Sequence, residues 1–237
     1  MPNSYFQFKQ FRVEQDKCAM KVCTDSCVFG AVIDVKEAQH ILDIGAGTGL
    51  LSLMVAQRSN ALIDAVEINP DAQEQANENF AISPWAERLR LYPQSLQEFA
   101  KYNQKGYDVI LSNPPFFLSS LKSPDASKNT ARHTEALFFE EILAFAQQHL
   151  TETGKLYLLL PPAEASIFEK LAGKYKLYLS HTLQVFTQTN GKCIRHIQTY
   201  TFHNIPTQSN SLYIREENGV SYTPDFAALL QAYYLIF

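Results

Sequence analysis

Short apolar runs alternate with stretches of helical periodicity along most of this chain. Ile41–Ile44, Leu62–Glu67, Leu89–Tyr92, Tyr107–Ser112 and Lys155–Leu160 are short and apolar, the pattern of strands buried on both faces. Between them, Leu50–Arg58, Asp71–Phe80, Leu96–Tyr102, Phe138–Leu150 and Ala163–Gly173 carry apolar residues at helical spacing. This alternation predicts an α/β fold, a mostly parallel sheet with helices on both faces. Tyr175–Phe186 and Ile194–Phe202 read as two more strands closing as a hairpin, which makes seven strands with a mixed edge. Ser119–Arg132, rich in Ser, Lys, Asp and Asn, reads as a long loop that orders on ligand binding. From Leu212 a short strand-like piece precedes a helix at Phe226–Leu235, and the apolar end of the chain is expected to dock.

At the other end, Phe6 and Phe8 alternate with polar residues and suit a strand, with a second expected near Cys18–Lys21. Thr24–Ala31 reads as the start of a helix, with Thr24, Asp25 or Ser26 available to cap it. Residues 1–30 are therefore expected to form an N-terminal hairpin leading into a main domain of residues 31–237.

Composition narrows this only modestly. The 237 residues are 46% apolar and 19% charged, an ordinary globular balance. The net charge of −4 weighs against a general nucleic-acid-binding surface but allows a local basic patch. Cys18, Cys23, Cys27 and Cys193 form no CxxC pair, so no metal is expected and reduced thiols fit a cytoplasmic protein. Neither a signal peptide nor a membrane span is seen, and a soluble monomer is expected.

Candidate chemistry begins at Asp43-Ile44-Gly45-Ala46-Gly47-Thr48-Gly49, between a strand and a helix. Alternate glycines let the backbone turn sharply and approach a ligand closely. The spacing is G-x-G-x-G rather than the dinucleotide pattern. Asp43 would repel a pyrophosphate and favours an amino or sulfonium group. Glu67 ends the second strand, where a carboxylate accepts hydrogen bonds from ribose hydroxyls. Together these point to S-adenosylmethionine, held by Asp43, Gly45, Gly47 and Glu67. A nicotinamide site and a plain tight turn are the rival readings.

The fourth strand ends in Asn113-Pro114-Pro115-Phe116. The prolines lack N–H groups, so the backbone carbonyls here are free acceptors in fixed directions, and Asn113 adds a side-chain acceptor. Two acceptors can hold both hydrogens of an exocyclic –NH2 and turn its lone pair toward a methyl donor. Phe116 can stack on a flat base. These four are the candidate catalytic residues. No strong base is required, because the amine loses its proton after methyl transfer.

These residues resemble the class I Rossmann-like methyltransferases. Phe8-Lys9-Gln10-Phe11-Arg12-Val13, Lys17-Cys18-Ala19-Met20-Lys21-Val22, Thr24-Asp25 and Ser83-Pro84-Trp85-Ala86-Glu87-Arg88 resemble more closely the bacterial tRNA(Val) adenine-N6-methyltransferases. That resemblance implies methylation of the adenine 3′ to the anticodon, with tRNA as partner. It places Lys21 and Thr24 near the cofactor and Asn113 beside it. Ser95 stands where an acidic residue often meets the cofactor adenine, and Phe116 stands where Tyr is common. Lys9, Arg12 and Lys17 on one side, and Lys122, Lys128, Arg132 and His133 on the other, are candidate RNA contacts. The tetrad alone also admits guanine N2 in ribosomal RNA or a protein glutamine amide, and a scaffold that binds cofactor without catalysis is the non-enzymatic alternative.

Overall fold

The computed structural model describes residues 3–18, 20–114 and 126–237, with only the backbone of 126–136 considered. Among these residues the chain runs β1 (Tyr5–Gln7), β2 (Arg12–Glu14), α1 (Thr24–Val32), β3 (His40–Ile44), α2 (Leu50–Ala56), β4 (Leu62–Glu67) and α3 (Pro70–Ala81). It continues through β5 (Leu89–Pro93), α4 (Leu96–Tyr102), β6 (Tyr107–Ser112), α5 (Ala126–His149), β7 (Leu150–Leu160) and α6 (Pro162–Ala172). It closes with β8 (Tyr178–Gln188), β9 (Cys193–Thr201), β10 (Gln208–Arg215) and α7 (Pro224–Leu230).

The main sheet has the order β10-β8-β9-β7-β6-β3-β4-β5, with β9 antiparallel to its neighbours and the other pairings parallel. Side chains alternate across it. Ile41, Val109 and Leu159 join the core made with α1, α2 and α7. Leu42, Ile110 and Leu158 join the core made with α4, α5 and α6. From β3 the chain builds outward to β4 and β5, and then restarts at β6 on the other side. The reversal leaves a crevice at the carboxyl ends of β3 and β6, where such sheets bind ligands. Ser112 Oγ donates to the Ile44 carbonyl at 2.8 Å and ties these two strand ends together.

Several expectations change in detail. The sheet has eight strands rather than seven, because Gln208–Arg215 pairs parallel with β8. Its first four residues are polar and exposed and only Leu212 and Ile214 bury, so the period-2 signal was nearly silent. The second strand of the N-terminal hairpin is Arg12–Glu14, not Cys18–Lys21, with Phe6 opposite Val13. A tight turn sets that register: Phe8 N–H donates to the Phe11 carbonyl at 2.9 Å. Helix α5 starts at Ala126, so residues 126–132 are helical and not loop. Its first turns, Ala126–Ala136, lack the apolar stripe that marks a helix. Helix α7 is shorter than expected and begins where Thr223 caps it, with Pro224 in its first turn.

Phe8, Phe11 and Val13 of the N-terminal hairpin are buried in the same core as α1 and α2. The last residues join them. Tyr233 and Tyr234 are buried, while Leu235 and Ile236 are exposed. Tyr234 lies against Phe6, Phe8 and Phe237, and Phe226 stacks on Tyr222. Arg58 on the far side of α2 donates to the Gly30 and Ile33 carbonyls and to the Tyr233 hydroxyl, which in turn donates to Met54. Both chain ends are thus packed onto the α1–α2 layer. No helix among the described residues is long and apolar enough to cross a membrane.

Candidate active site

The loop between β3 and α2 holds three glycines with left-handed backbones, Gly45 at φ 76°, Gly47 at 56° and Gly49 at 78°. Any other residue would be strained there. Their surroundings differ. Among the described residues, a Cβ on Gly45 or Gly47 would meet nothing within 4 Å. A Cβ on Gly49 would lie 2.4 Å from Phe80 Cε1, so this glycine serves packing against α3. The loop is hung on β4: Gly45 N–H donates to the Val66 carbonyl at 2.8 Å and Gly47 N–H to Glu67 Oε2 at 2.8 Å.

Asp43 is fully buried. Its Oδ2 accepts from the Ser52 N–H at 3.1 Å and the Ser52 hydroxyl at 2.7 Å, and Oδ1 has no hydrogen-bond partner among the described residues. Burial pushes its carboxyl up to about 7. The Ser52 bonds pull the other way, and the nearby Glu67 charge adds to the rise. A buried acceptor left open beside an open glycine cradle is what a cationic ligand group would satisfy. Glu67 is held at the end of β4, where its Oε1 accepts from the Ile68 and Asn69 N–H groups at 2.9 and 2.8 Å. Ile68, the next residue, is apolar and 69% exposed. These residues fit S-adenosylmethionine: a carboxylate for the ammonium, glycines for close approach, and a second carboxylate for the ribose.

Across the crevice, Asn113 follows β6. Its Nδ2 donates to Ser26 Oγ at 3.0 Å, and its Oδ1 is buried with no hydrogen-bond partner among the described residues. The amide is therefore pinned by its donor side and presents its acceptor. Ser26 is itself in contact with Cys23 Sγ at 3.0 Å. Asp25 beside it pairs with Arg195 Nε at 2.8 Å, which anchors the first turn of α1 to β9. Pro114 is buried. Pro115, Phe116 and Lys122 lie outside the described residues, and the side chains of Lys128, Arg132 and His133 do as well.

The remaining candidates sit as follows. Thr24 opens α1, and its side chain lies beside the Tyr234 hydroxyl. Lys21 Nζ donates to the Gln15 carbonyl. Ser95, at the end of β5, caps α4 by accepting from Glu98 N–H at 3.2 Å. The N-terminal cations are engaged internally. Lys9 Nζ donates to the Gln231 and Phe237 carbonyls, Arg12 pairs with Glu14 over the Tyr5 ring, and Lys17 bridges Glu74 and Glu78. Among the described residues no three His, Cys, Asp or Glu side chains gather as metal ligands. A groove of about 320 Å³ lined by Val32, Tyr157, His181 and Ile197 touches none of these candidates.

Sequence reasoning missed the site roles of Ser26, Ser52 and Asn79; Ser26 and Asn79 act through contacts across the fold, and Ser52 through its bonds to Asp43. Only Asn79 left a trace, as a polar residue on the inward face of α3 together with Ala72, Ala76 and Phe80.

Residues 18–174 match the methyltransferase small domain. The chain is 48% identical over 240 residues to the tRNA1(Val) (adenine(37)-N6)-methyltransferase of Dyadobacter fermentans, covering 99% of each. It is 45% identical to the protein of that name from Cytophaga hutchinsonii, again covering 99% of each. The fold is similar to a protein of Agrobacterium tumefaciens described as a predicted O-methyltransferase. The TM-score there is 0.66 at 16% identity, covering 88% of this chain and 96% of that one.

Proposed function

The chain belongs to the family of the tRNA1(Val) (adenine(37)-N6)-methyltransferases, within the methyltransferase small domain, and we propose from that premise that it methylates the exocyclic N6 of the adenine 3′ to the anticodon of tRNA(Val). The observation that carries this reading is the Asn113 amide, pinned through Nδ2 to Ser26 with Oδ1 left as a buried open acceptor. An acceptor in that place suits an amino group, which has two hydrogens to donate; a carbonyl would be repelled.

When bound, S-adenosylmethionine supplies an electrophilic methyl group. Asp43 holds the ammonium, Gly45 and Gly47 allow close approach of the methionine portion, and Glu67 accepts from the ribose. Lys21 and Thr24 border the same site, and Ser95 lies on the adenine side. Asn113 Oδ1 and the Pro114 carbonyl take the two amine hydrogens, and Pro115 completes the Asn-Pro-Pro sequence. Phe116 stacks on the base. With both hydrogens held in the plane of the acceptors, the nitrogen lone pair turns toward the methyl group, and catalysis rests on placement. The proton leaves the alkylated nitrogen afterwards, so no side chain has to act as a strong base. For the RNA, the cluster Lys128, Arg132 and His133 in the first turns of α5, with Lys122 before it, is the better candidate grip. Lys9, Arg12 and Lys17 already spend their charge on carboxylates and carbonyls.

The test is methyl transfer from a labelled donor to undermodified tRNA, with nucleoside mass spectrometry of the product. N6-methyladenosine in tRNA(Val) is expected. Donor binding without any label in tRNA would sink the proposal.

A further inference from the structure

Two amides, Gln75 and Asn79, lie one turn apart on α3 and are fully buried. Both reach the same stretch of the N-terminal segment. Gln75 Oε1 accepts from the Lys17 N–H at 2.9 Å. Asn79 Oδ1 accepts from the Glu14 N–H at 2.8 Å, and its Nδ2 donates to the Glu14 carbonyl at 2.9 Å. The second Nδ2 hydrogen goes elsewhere, to the Thr48 carbonyl in the glycine loop, also at 2.9 Å. One side chain thus satisfies three backbone groups from two segments far apart in sequence. Only an amide does this, since it offers two donors and an acceptor in one plane. A carboxylate would set oxygen against two carbonyl oxygens, and an aliphatic residue would take the partner from three backbone groups, of which the Thr48 carbonyl bond is fully buried.

The neighbours of Asn79 extend the arrangement. Phe80 packs against the α-carbon of Gly49 at the other end of the loop. Outside, Lys17 is gripped by Glu74 and Glu78 on the same helix. Beyond Lys17 the segment leads to Lys21, tied back to Gln15, and then to α1, whose Ser26 orients Asn113. Among the described residues, the Asn79 side chain thus joins the segment at Glu14 to the glycine loop at Thr48.

We propose that Asn79 is a positioning residue for the methyl donor, holding the Thr48 carbonyl and the Glu14 backbone in register so that the glycine loop and the N-terminal segment respond to the donor as one unit. This deepens the functional reading above and rests on it. Gln75 supports only the N-terminal half of the clamp, since it does not touch the loop.

Hydrogen exchange of the wild-type chain with and without S-adenosylhomocysteine tests the coupling directly. The ligand should slow the amides of Glu14 and Lys17 together with those of Gly45–Gly49. Slowing confined to the loop would overturn the proposal. Asn79→Ala should weaken S-adenosylhomocysteine binding by about tenfold, given three lost bonds to buried groups. Its KM for the methyl donor should rise by a similar factor, more than kcat at saturating donor falls. Gln75→Ala should lower the melting temperature with a smaller change in donor affinity. An Asn79→Ala protein that melts lower yet binds S-adenosylhomocysteine as tightly as wild type would make the residue a structural staple only. If that variant does not fold, the wild-type exchange decides alone. Failure of the wild type to bind S-adenosylhomocysteine at all would instead remove the proposed function, and this proposal with it.

Discussion

Replacing Asp43 with asparagine separates what the carboxylate does for the fold from what it does for the ligand. The side chain is fully buried, and burial lifts its carboxyl from 3.8 to about 7. The folded protein thus prefers the protonated form. The group lowers stability progressively as pH rises from about 4 through 7, and by a constant amount above that. About three pH units at roughly 1.36 kcal/mol each put an upper bound of about 4 kcal/mol on this cost. The amide that Asp43→Asn introduces would keep an acceptor for the Ser52 N–H and hydroxyl and carry no charge. The donor-free D43N protein should therefore melt several degrees above wild type at pH 8, and the gap should close as pH falls toward 4. Ligand binding should move the opposite way. A hydrogen bond between an ammonium and an ionised carboxylate is worth about 1.5–3 kcal/mol, or about 10–150-fold in affinity. Wild-type affinity for S-adenosylhomocysteine should fall as pH drops below about 7, and binding near pH 7 should release a proton. Scanning calorimetry at pH 5 and 8, and titration calorimetry in buffers of different ionisation enthalpy, measure all of this. A D43N protein that melts lower at pH 8 and binds as tightly as wild type would refute the reasoning.

Asn113→Ala should cut the methylation rate by about 10²–10³-fold with donor affinity unchanged, as measured by single-turnover kinetics beside titration calorimetry. Loss of donor binding in that variant would argue against its role at the amine. Gly47→Ala meets no protein atom, so it should cost the free protein only about 1–2 kcal/mol of backbone strain while weakening the donor. Gly49→Ala forces a Cβ into Phe80 and should show the larger loss of melting temperature. Replacing Lys128 and Arg132 with Ala should lower the slope of log affinity for tRNA against log salt by about one per lost phosphate contact; an unchanged slope would place the RNA elsewhere.

How much of this was legible depends on what each feature is made of. The strand–helix alternation and the G-x-G-x-G loop are local patterns, and both were readable in sequence. The helical first turns of α5 were not, because Ala126–Ala136 contains no apolar stripe and reads as a polar loop. The start of β10 hid for a similar reason, since Gln208–Ser211 carries no buried alternation. At the site, Asp43 and Asn113 stood out by motif. The roles of Ser52 and Ser26, which turn each of them into a one-sided acceptor, had no motif to mark them: Ser52 is an ordinary helix serine nine residues from Asp43, and the Asn113–Ser26 bond spans 87 residues. The charges of Lys9 and Lys17 were visible, but their partners on the tail and on α3 were not.

Tyr234 closes over Thr24 and Cys27, and the Lys9 backbone bonds to the Tyr233 carbonyl. The helix that orients Asn113 is thus finished by residues more than two hundred positions downstream. A nascent chain released before residue 234 would carry every motif of the family and still lack one of the contacts that seat α1. Closing so long a loop is an entropic cost met late in folding. Methylation competence would then wait until residue 234 has been made, and fragments broken off earlier would stay silent toward RNA.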